Sequence, residues 1–498
     1  MGIGCKLSVS LRLRRKEQRT VKDNSALDDG DVAIASAEQP HVLFRNEDES
    51  FQQQVRLAAA AQRAGRLEEA ISAYLRLLAV KPYNAELHNN LGVALRLMGK
   101  LDAAIAHHRQ SLELDPDNAA LHSNLGNALR VASRTREAVR HHLQAVSLKP
   151  DYAEGFFNLG LCLRDLGRSD EALACLSRAL TLSPQNKRAR VEIAITRLAQ
   201  GDLARGFDEY ELRKQLDDVP APEFRQPAWT GDDPKGKRIL LYPEQGLADV
   251  LMFVRYARAE APRRLGHRAV PGAAQGAADA ARLSRRRGRR GRAAAGVRDL
   301  HASLLSLPHL CGGDLPMAGG SEPYLLPPER GRIKLGRLPR AKLRVGIYWA
   351  AMPGQALDRQ RSVPFPHFMA LAGDPEILFF SLQGGAHQKD IQAHGASGLV
   401  HDVGRGIFDF AEAASALEQL DLLVTIDAPI AHLGAGMGMP TWLLLPTVPD
   451  WRWQQGRGDS PWYPSLRLFR QTTSGDWDPV FAQLAAELER LKVTIPRA

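Results

Sequence analysis

The 498-residue sequence predicts an α-solenoid followed by an α/β half made of two lobes with parallel sheets. Three observations predict this fold class. Residues 51–213 repeat on a period of 34, residues 214–236 form a connector rich in Pro, Asp and Gly, and buried strands alternate with helices from Arg238 onward. Parallel strands need a long crossover connection, which is usually a helix, so the alternation favours parallel sheets.

Five units make up the repeat region, and the fifth is atypical, as a terminal unit often is. The residues that recur at this spacing are Leu57, Leu91, Leu125, Leu159 and Ile193; Ala58, Gly92, Gly126, Gly160 and Ala194; Ala70, Ala104, Ala138, Ala172 and Gly206; and Pro82, Pro116, Pro150 and Pro184. Small residues let neighbouring helices approach closely, and a Pro cannot continue a helix. The pattern is typical of tetratricopeptide repeats, which are helix–turn–helix units.

The same period predicts where the chain turns and which surface faces a partner. We expect the turns between paired helices at Gly65, Gly99, Gly167 and Gly201. Units of this kind cannot bury their apolar faces alone, so they stack into a superhelix. The first helix of each unit then lines the inner groove.

Two histidine pairs, His107–His108 and His141–His142, lie 34 residues apart and could be interpreted as metal ligands. The second histidine of each pair stands at the position that Tyr74, Leu176 and Tyr210 fill in other units. A position filled mainly by large apolar side chains favours packing between helices over metal ligation. We predict no metal site, here or elsewhere in the chain.

Composition limits the functional classes. Residues 1–48 are polar and lack sustained periodicity, which predicts disorder. No apolar run approaches the roughly 18 to 20 residues needed to cross a bilayer, so no membrane span is expected. The four cysteines form no close pair, which favours a protein of the reducing cytoplasm over a disulfide-stabilised one.

The net charge of +10 is concentrated in two segments. Residues 258–300 carry twelve Arg against three acidic residues, and residues 1–20 carry six basic residues against one acidic residue. Neither segment has aromatic residues interleaved for base stacking, and the rest of the chain is slightly acidic. We therefore do not expect nucleic acid as a partner.

The α/β half divides into a first lobe at residues 237–340 and a second lobe at residues 341–498. Strands are predicted at Arg238–Tyr242, Leu343–Trp349, Ile377–Leu382, Leu422–Ile426 and Thr441–Leu445, and helices near Asp249–Ala257, Phe408–Leu420 and Pro479–Leu491. Ligands of such sheets bind beyond the carboxyl ends of the strands. The loops at those ends are therefore the candidate site.

Three of these loops carry polar side chains suited to chemistry. Residues 243–249 place a carboxylate at a helix start, residues 358–364 contain Arg359 and Arg361, and Asp427 ends a strand before a helix of small residues. A helix N-terminus offers free N–H groups and the positive end of the helix dipole, which favours a diphosphate. The two arginines would add positive charge with bidentate geometry.

The α/β half contains the motifs EQGLADVLMFVRYA, RQRSVP, FFSLQGG, IDAPIAHLGAGMGMPTWLLLP and DWRW…SPWYPSLRLFRQ. Together with the repeats, they resemble the bacterial family of tetratricopeptide-repeat glycosyltransferases. The catalytic half of that family is similar to heptosyltransferase-type enzymes and, more distantly, to protein O-linked N-acetylglucosamine transferases. The resemblance covers about residues 51–257 and 300–490. It implies a GT-B fold, in which two Rossmann-like lobes bind a nucleotide sugar between them, chiefly through the C-terminal lobe and without a catalytic metal or other cofactor.

The resemblance also implies roles for individual residues of the α/β half. Asp249 matches the candidate general base, either Arg359 or Arg361 matches the residue that meets the donor diphosphate, and Asp427 with His432 matches the donor-site motif. These residues also have simpler interpretations from the sequence itself, and Arg359 and Arg361 could be solvated surface charges. Asp249 could cap its helix, and His432 could be structural or could contact the donor rather than carry a proton.

A polar ladder is predicted in the repeats, because Asn90, Asn124 and Asn158 stand 34 apart on the first helices of their units. The repeats of protein O-linked N-acetylglucosamine transferases carry a similar ladder that holds acceptor backbone. An amide suits this task because it both donates to and accepts from a peptide group. The alternative is that these residues only tie neighbouring helices together.

The sequence departs from the family pattern at three places. Ala248 stands where the family has Gly, Ala428 stands where it has Thr, and residues 258–300 lack the strand and helix pattern expected of the first lobe. The aberrant segment has two interpretations, a compensated reading-frame slip in a GC-rich gene and a genuine basic insertion.

Two functional classes follow. The first is a cytoplasmic glycosyltransferase that moves a sugar from a nucleotide donor to a hydroxyl of a protein recruited by the repeats, with a glycan or lipid-linked acceptor still open. The second is a non-catalytic repeat scaffold with a degenerate transferase half.

Overall fold

The repeat half consists of five helix pairs, as the 34-residue period predicted. In a computed structural model they are α1 (Gln39–Arg63), α2 (Leu67–Val80), α3 (Ala85–Leu97), α4 (Leu101–Leu114), α5 (Ala119–Val131), α6 (Thr135–Leu148), α7 (Ala153–Asp165), α8 (Ser169–Leu182), α9 (Lys187–Gln200) and α10 (Leu203–Tyr210). The structure describes residues 39–217, 219, 223–232, 237–259, 299–311, 323–328, 331, 333–336, 341–351 and 361–494. The described residues divide into two compact units, residues 39–57 and the described residues from Ala58 onward.

Helix α1 begins earlier than expected. It starts at Gln39, so the prediction that residues 1–48 lack structure is wrong for residues 39–48. Once a first helical turn exists, each added residue gains a hydrogen bond, and Pro40 in the first turn lacks only an N–H that would have no partner within the helix. Residues 1–38 lie outside the described residues.

The turns within the helix pairs have the left-handed backbone that favours glycine. Gly65, Gly99, Gly167 and Gly201 have φ angles of 75°, 80°, 74° and 91°. Ser133 stands at the equivalent position of the third unit and adopts the same conformation, with φ 61°. The geometry of the repeat therefore fixes this turn even where a side chain makes it costly.

Small residues permit the close helix contacts that the sequence predicted. A Cβ added to Gly92 would lie 2.7 Å from the ring of His108, and one added to Gly126 would lie 2.6 Å from the ring of His142. Ala138, in the second helix of the third unit, is completely buried. The histidines thus fill the space between the helices, which confirms the packing interpretation.

The connector contributes more structure than expected. The backbone N–H of Trp229 donates to His301 O at 2.8 Å, and His301 N–H donates to Pro227 O at 3.1 Å. The buried Trp229 side chain and the unpaired edge of the neighbouring strand explain why this segment joins the sheet rather than remaining a free linker.

A short 3₁₀ helix, Glu211–Gln215, precedes the connector and carries the buried Arg213. The guanidinium donates twice to Glu244, at 2.7 and 2.8 Å, and once each to Glu211 and Ser306. The end of the solenoid is therefore tied to the first lobe by a buried ion pair.

The described part of the first lobe contains two parallel strands and two helices. These are β1 (Ile239–Tyr242), α11 (Leu247–Ala259), β2 (Leu300–Ser303) and α12 (Leu307–Leu310), and Ile239 pairs with Leu300. Helix α11 extends two residues into the aberrant segment, and β2 begins at its last residue. Residues 260–298, on which the prediction for that segment depends, lie outside the described residues. A complete pair of GT-B lobes thus stays a prediction.

The second lobe is a doubly wound parallel sheet, as predicted. Its strands are β3 (Leu343–Tyr348), β4 (Ile377–Ser381), β5 (Val400–Asp402), β6 (Leu422–Ile426), β7 (Thr441–Leu445) and β8 (Leu466–Arg470). Its helices are α13 (Pro366–Leu371), α14 (Lys389–Ala393), α15 (Phe410–Leu417), α16 (Pro429–Gly436) and α17 (Asp478–Thr494). The strand order is β5-β4-β3-β6-β7-β8 with every pair parallel, so the winding reverses between β3 and β6.

The fifth repeat unit shares its core with the lobes. Leu198, Phe207 and Tyr210 belong to the same buried cluster as Phe253 of the first lobe and Trp451 of the second. Units two to four have a separate core that contains Leu125, Leu159 and Ala172, among others. Among the described residues, the fifth unit therefore belongs to a different core from units two to four.

Candidate functional site

The candidate site lies where the winding of the second sheet reverses. Asp427 directly follows β6, and Arg361 lies in the connection between β3 and α13. Arg361 Nη1 lies 3.7 Å from Asp427 Oδ2, with side chains 28% and 9% exposed. The structure therefore brings these two predicted residues together at the carboxyl ends of adjacent strands. Arg359 lies outside the described residues.

The described residues on either side of positions 352–360 are fixed to each other. Gln383 is buried, its Oε1 accepts from Trp349 N–H at 3.1 Å and Ala350 N–H at 3.0 Å, and its Nε2 donates to Ala350 O at 3.0 Å. Val363 N–H donates to Trp349 O at 2.8 Å. The side-chain amide thus extends the hydrogen bonding of β3 by one step and fixes the course of the backbone at Trp349 and Ala350.

Asp249 lies at the opposite side of the site, in the first turn of α11. It is the third residue of that helix, so it does not occupy the N-cap position, and the capping interpretation is wrong. Its side chain is buried and accepts a hydrogen bond from Arg452 of the second lobe. Arg452 also donates to Asp450 Oδ1 at 2.6 Å. One guanidinium therefore joins a carboxylate from each lobe.

Burial and neighbouring charges shift the pKa values of this cluster in different directions. Burial first, and then the charge of Asp450, raise the pKa of Asp427 to about 6, although Arg361 opposes the shift. Burial alone would raise the pKa of Asp450, but Arg452 holds it below its usual value. The pKa values of these two carboxylates therefore differ, because each carboxylate contacts a different arginine.

His432 lies beneath the site rather than in it. Its side chain is fully buried in α16, its ring stacks on Trp453 with centroids 5.0 Å apart, and its Nδ1 lies 2.8 Å from the hydroxyl of Tyr463. Burial and the nearby Arg452 lower its pKa to about 3, so it stays neutral. These contacts support the structural role that the sequence had left open, and a contact of His432 with a donor stays a prediction.

Helix α16 presents the N-terminus that the sequence predicted for a diphosphate. Its N-cap residue is Ala428, which has no side-chain acceptor, and Pro429 occupies the first turn. The departure from Thr therefore leaves the first-turn N–H groups without a side-chain cap. An anion bound here would meet these groups and the positive end of the helix dipole.

A buried arginine joins the two lobes beside the site. Arg255 of α11 donates to Met252 O at 2.9 Å, to Trp462 O at 2.5 Å and to the Tyr324 hydroxyl at 3.0 Å. Its guanidinium also lies 4.5 Å from the ring centroid of Tyr463, which contacts His432. Carbonyl, hydroxyl and ring partners thus hold this charge without a carboxylate among its described contacts.

Two asparagines of the predicted ladder form hydrogen bonds between repeat units. Asn124 Nδ2 donates to Asn89 Oδ1 of the preceding unit at 2.9 Å, and Asn158 Nδ2 donates to Ser123 Oγ at 3.3 Å. Asn90 is half-buried. The alternative that these amides tie neighbouring helices together is therefore seen for two of the three, while their carbonyl oxygens are not engaged by these bonds.

Three further observations concern the described residues outside the site. A cavity of about 840 Å³ lies at the β5 edge, lined in part by Lys334, Gln392, His401 and Arg405, and contains none of the site residues. The described residues include no group of three or more His, Cys, Asp or Glu side chains placed to share a metal ion. Among them, too, no helix combines the length and apolar character needed to span a membrane.

Sequence reasoning missed three residues of the site. Arg452 and Asp450 lie in the DWRW motif, and Gln383 lies in FFSLQGG, so both motifs were noticed without a role for these side chains. The signal available was a charged residue between two large aromatics, Trp451 and Trp453, which often marks a buried or stacked cation. No pattern in the sequence showed that Arg452 would reach across to α11.

Comparisons with known proteins identify the repeats. A family model described as TPR repeat matches residues 63–99 and 94–130, and one described as Tetratricopeptide repeat matches residues 153–186. The chain is 26% identical over 328 residues to Protein FlbA of Caulobacter vibrioides, a match that covers 58% of this chain and 53% of FlbA. The chain thus spans about half the length of this curated relative.

Solved repeat proteins are similar over about a third of the chain. A crystal structure of MamA is 23% identical and covers 32% of this chain and 92% of its own, with a TM-score of 0.29. Pseudomonas aeruginosa PilF is 24% identical over 34% of this chain and 78% of its own, with a TM-score of 0.32. YrrB, titled a TPR protein with an unusual peptide-binding site, is 19% identical over 36% and 94%, with a TM-score of 0.29. The chain contains tetratricopeptide repeats, which are protein-interaction modules.

Proposed function

We propose that this protein transfers a sugar from a nucleotide-sugar donor to a hydroxyl group of a protein bound by the repeats. One observation carries the proposal. Asp249 of the first lobe and Asp450 of the second contact the same guanidinium, beside the Arg361–Asp427 pair at the reversal of the parallel sheet. Charged groups from both lobes thus meet where a doubly wound sheet binds its ligands.

The donor would bind mainly to the second lobe. Its diphosphate would meet the first-turn N–H groups of α16 and the positive charge of Arg361. Asp427 and Asp450 place two carboxylates nearby, and the positive charge of Arg361 offsets part of their negative charge. The raised pKa of Asp427 means that it can be neutral near pH 6, which would reduce its repulsion of a diphosphate.

Asp249 would act as the general base. The acceptor oxygen forms a bond to the anomeric carbon, the bond from that carbon to the diphosphate breaks with its electron pair on the leaving group, and the acceptor proton moves to the carboxylate. For this step Asp249 must contact the acceptor hydroxyl in place of, or together with, Arg452. Arg452 thus determines how exposed the base is.

A non-catalytic scaffold is the alternative, and one contact favours it. In the described structure the Asp249 carboxylate is already paired with Arg452, and Ala428 offers no hydroxyl to a phosphate. Under this alternative the repeats still bind a protein, but no nucleotide sugar is turned over. The two classes differ in whether the second lobe binds a donor.

Donor titration separates the two classes. Purified protein is titrated with UDP-, GDP-, ADP- and TDP-sugars by thermal shift and calorimetry. The nucleotide sugar that binds the wild type should bind Asp427→Ala and Arg361→Ala more weakly. Loss of the charge-assisted Arg361 contact should weaken the affinity about 10- to 150-fold. Arg405→Ala, which breaks an exposed pair with Asp402, is the matched control. The proposal is contradicted if none of the donors binds, or if all variants bind the donor with equal affinity.

Turnover then tests the base. With the donor that binds, Asp249→Asn should slow transfer to a protein acceptor on the order of 100-fold while it leaves donor affinity nearly unchanged. An Asn variant with unchanged turnover would restrict Asp249 to a structural ion pair.

The acceptor side is tested through the asparagines. If the ladder holds peptide backbone, replacing Asn90, Asn124 and Asn158 together with Ala should abolish transfer to a protein acceptor without affecting transfer to a small hydroxyl acceptor. If these amides only join helices, the melting temperature should fall and both reactions should fail with the fold. The bonds of Asn124 and Asn158 predict a fall in any case, so the selective loss of the protein acceptor is the informative result.

A further inference from the structure

Residues 448–457, here called the clamp segment, lie between the solenoid and the candidate site. The segment contains the 3₁₀ turn Trp451–Trp453, which follows Asp450. Its contacts with the solenoid and its contacts with the site alternate along the chain.

The solenoid side of the segment is held by the fourth and fifth repeat units. Gln455 N–H donates to Ala199 O at 2.9 Å, and Ser169 Oγ donates to Gln455 Oε1 at 3.1 Å. The Gln454 side chain lies 3.5 Å from where a Cβ on Gly201 would be. Both turns used here, at Gly167–Ser169 and Gly201, belong to the predicted repeat pattern.

The centre of the segment lies in a cluster of aromatic rings. The Trp451 ring contacts Phe207 and Tyr210 of α10, with centroids 5.6 and 6.4 Å apart, and Phe253 of α11 at 6.5 Å. The guanidinium carbon of Arg452 lies 4.4 Å from the centroid of the same ring. The last helix of the solenoid therefore supports the ring on which Arg452 rests.

The backbone of the segment is constrained. Gln454 has φ 49° and ψ 172°, a conformation that side chains other than glycine rarely adopt. Such a conformation persists where the surroundings determine it, and here Arg457 donates to Gln454 Oε1 at 3.0 Å while Arg470 donates to Trp453 O at 2.5 Å. The turn is therefore held from the solenoid on one side and from the second lobe on the other.

We propose that the solenoid positions the guanidinium of Arg452, and through it Asp249 and Asp450, by anchoring the clamp segment at Ser169 and Ala199. Gln455 and Ser169 are then positioning residues for the site, although they contact neither donor nor acceptor. This inference rests on the proposed function for the meaning of the site, but the anchoring itself is independent of it. It implies that a protein bound in the repeats and the chemistry in the lobes are mechanically connected.

The test uses the full-length protein with Ser169→Ala and Gln455→Ala, singly and together. Hydrogen–deuterium exchange reports the amides of Trp453, Gln454 and Gln455, which donate within the turn and to Ala199. We expect their exchange to rise about three- to tenfold in the double variant, as expected for the loss of one hydrogen bond. Ser169→Thr keeps the hydroxyl and should exchange like the wild type.

Gln200→Ala is the matched control. Gln200 adjoins Ala199 and donates to Asp170 Oδ1 at 2.7 Å, so its loss removes a hydrogen bond within the solenoid without touching the clamp segment. It should leave the three amides unchanged. Unchanged exchange in the double variant, or the same rise in Gln200→Ala, would overturn the proposal.

The affinity for the donor provides the second measurement. If a nucleotide sugar binds the wild type, the double variant should bind it about three- to tenfold more weakly. The Ser169→Thr variant, which keeps the hydroxyl, should bind it with the affinity of the wild type. If no nucleotide sugar binds, the proposed function fails, and the exchange comparison alone still decides whether the solenoid positions Arg452. Raised exchange with fully unchanged donor affinity would contradict the positioning of the site.

Discussion

The repeat helices and the junction between the solenoid and the lobes bury polar side chains in different ways. In the repeats, the fully buried His108 and His142 rings have no hydrogen-bond partner, and burial, followed by nearby positive charges, lowers their pKa values to about 4 and about 3. At the junction, Arg213 and Arg452 are buried as ions, and each contacts two carboxylates. The two histidines are buried as neutral rings, whereas the two arginines are buried in ion pairs.

This difference follows from what each half requires of a position. A repeat position needs a side chain of suitable volume, and Leu176 fills in unit four the place that His142 fills in unit three. A position beside a site needs a charge in a fixed place. Replacing a buried histidine that lacks a hydrogen-bond partner should therefore stabilise the repeats, and removing a paired arginine should destabilise the junction with the lobes.

The largest effect is expected at Arg213. Arg213→Leu leaves Glu244 and Glu211 without their shared partner, which should cost about 3 to 5 kcal/mol of the free energy of unfolding. The measurement is urea unfolding followed by tryptophan fluorescence, because all seven tryptophans lie at or after residue 229. Arg66→Leu breaks an exposed pair with Glu69 and should leave the midpoint unchanged. A small effect of Arg213→Leu would remove the contrast between the halves.

The next effect is a dependence of repeat stability on pH. A histidine whose pKa is lowered on folding binds a proton more readily in the unfolded chain, so its contribution is lost as the pH falls below about 6.5. Between pH 7.5 and pH 5 we expect a loss of about 2 kcal/mol for His142. His142→Leu, which copies Leu176, should abolish this part of the loss in urea unfolding followed by circular dichroism. Equal pH dependence of both proteins would show that the ring is protonated or hydrogen-bonded.

The smallest effect is expected at the turn of the third unit. Ser133→Gly relieves a left-handed backbone but adds freedom to the unfolded chain, so a net stabilisation of about 0.5 kcal/mol is expected. The reverse change, Gly99→Ser at the equivalent turn, should destabilise the repeats by about 1 kcal/mol. Thermal unfolding of the two variants measures both changes. Destabilisation by Ser133→Gly would mean that the serine side chain stabilises this turn.

The sequence was most informative where residues recur. The period placed the helix pairs, the glycine turns and the packing of His108 because each prediction was supported by four or five equivalent positions. In the second lobe, apolar runs located β3, β4, β6 and β7 to within a residue. The strands β5 and β8 were missed, because β5 has only three residues and two Arg interrupt the apolar run of the five-residue β8.

The site was predictable only in its outline. The ends of β3 and β6 were the correct place for Arg361 and Asp427, since the topology of a parallel sheet brings those loops together. The contact of Arg452 with Asp249 joins residues about 200 positions apart and depends on how two lobes pack, which no local pattern encodes. The burial of His432 has the same origin, because its partners Trp453 and Tyr463 come from later loops.

The core that the fifth unit shares with the lobes has a consequence for how such proteins can evolve. Gain or loss of a 34-residue unit by unequal recombination inserts or removes one step of a stack, provided that the interfaces on both sides match. Units two and three meet this condition, because their core consists of repeat residues. Unit four also bonds Gln455 through Ser169, and in the fifth unit Phe207 and Tyr210 must face Trp451. Relatives of this protein should therefore differ in length before these last two units and preserve the steps that adjoin the lobes.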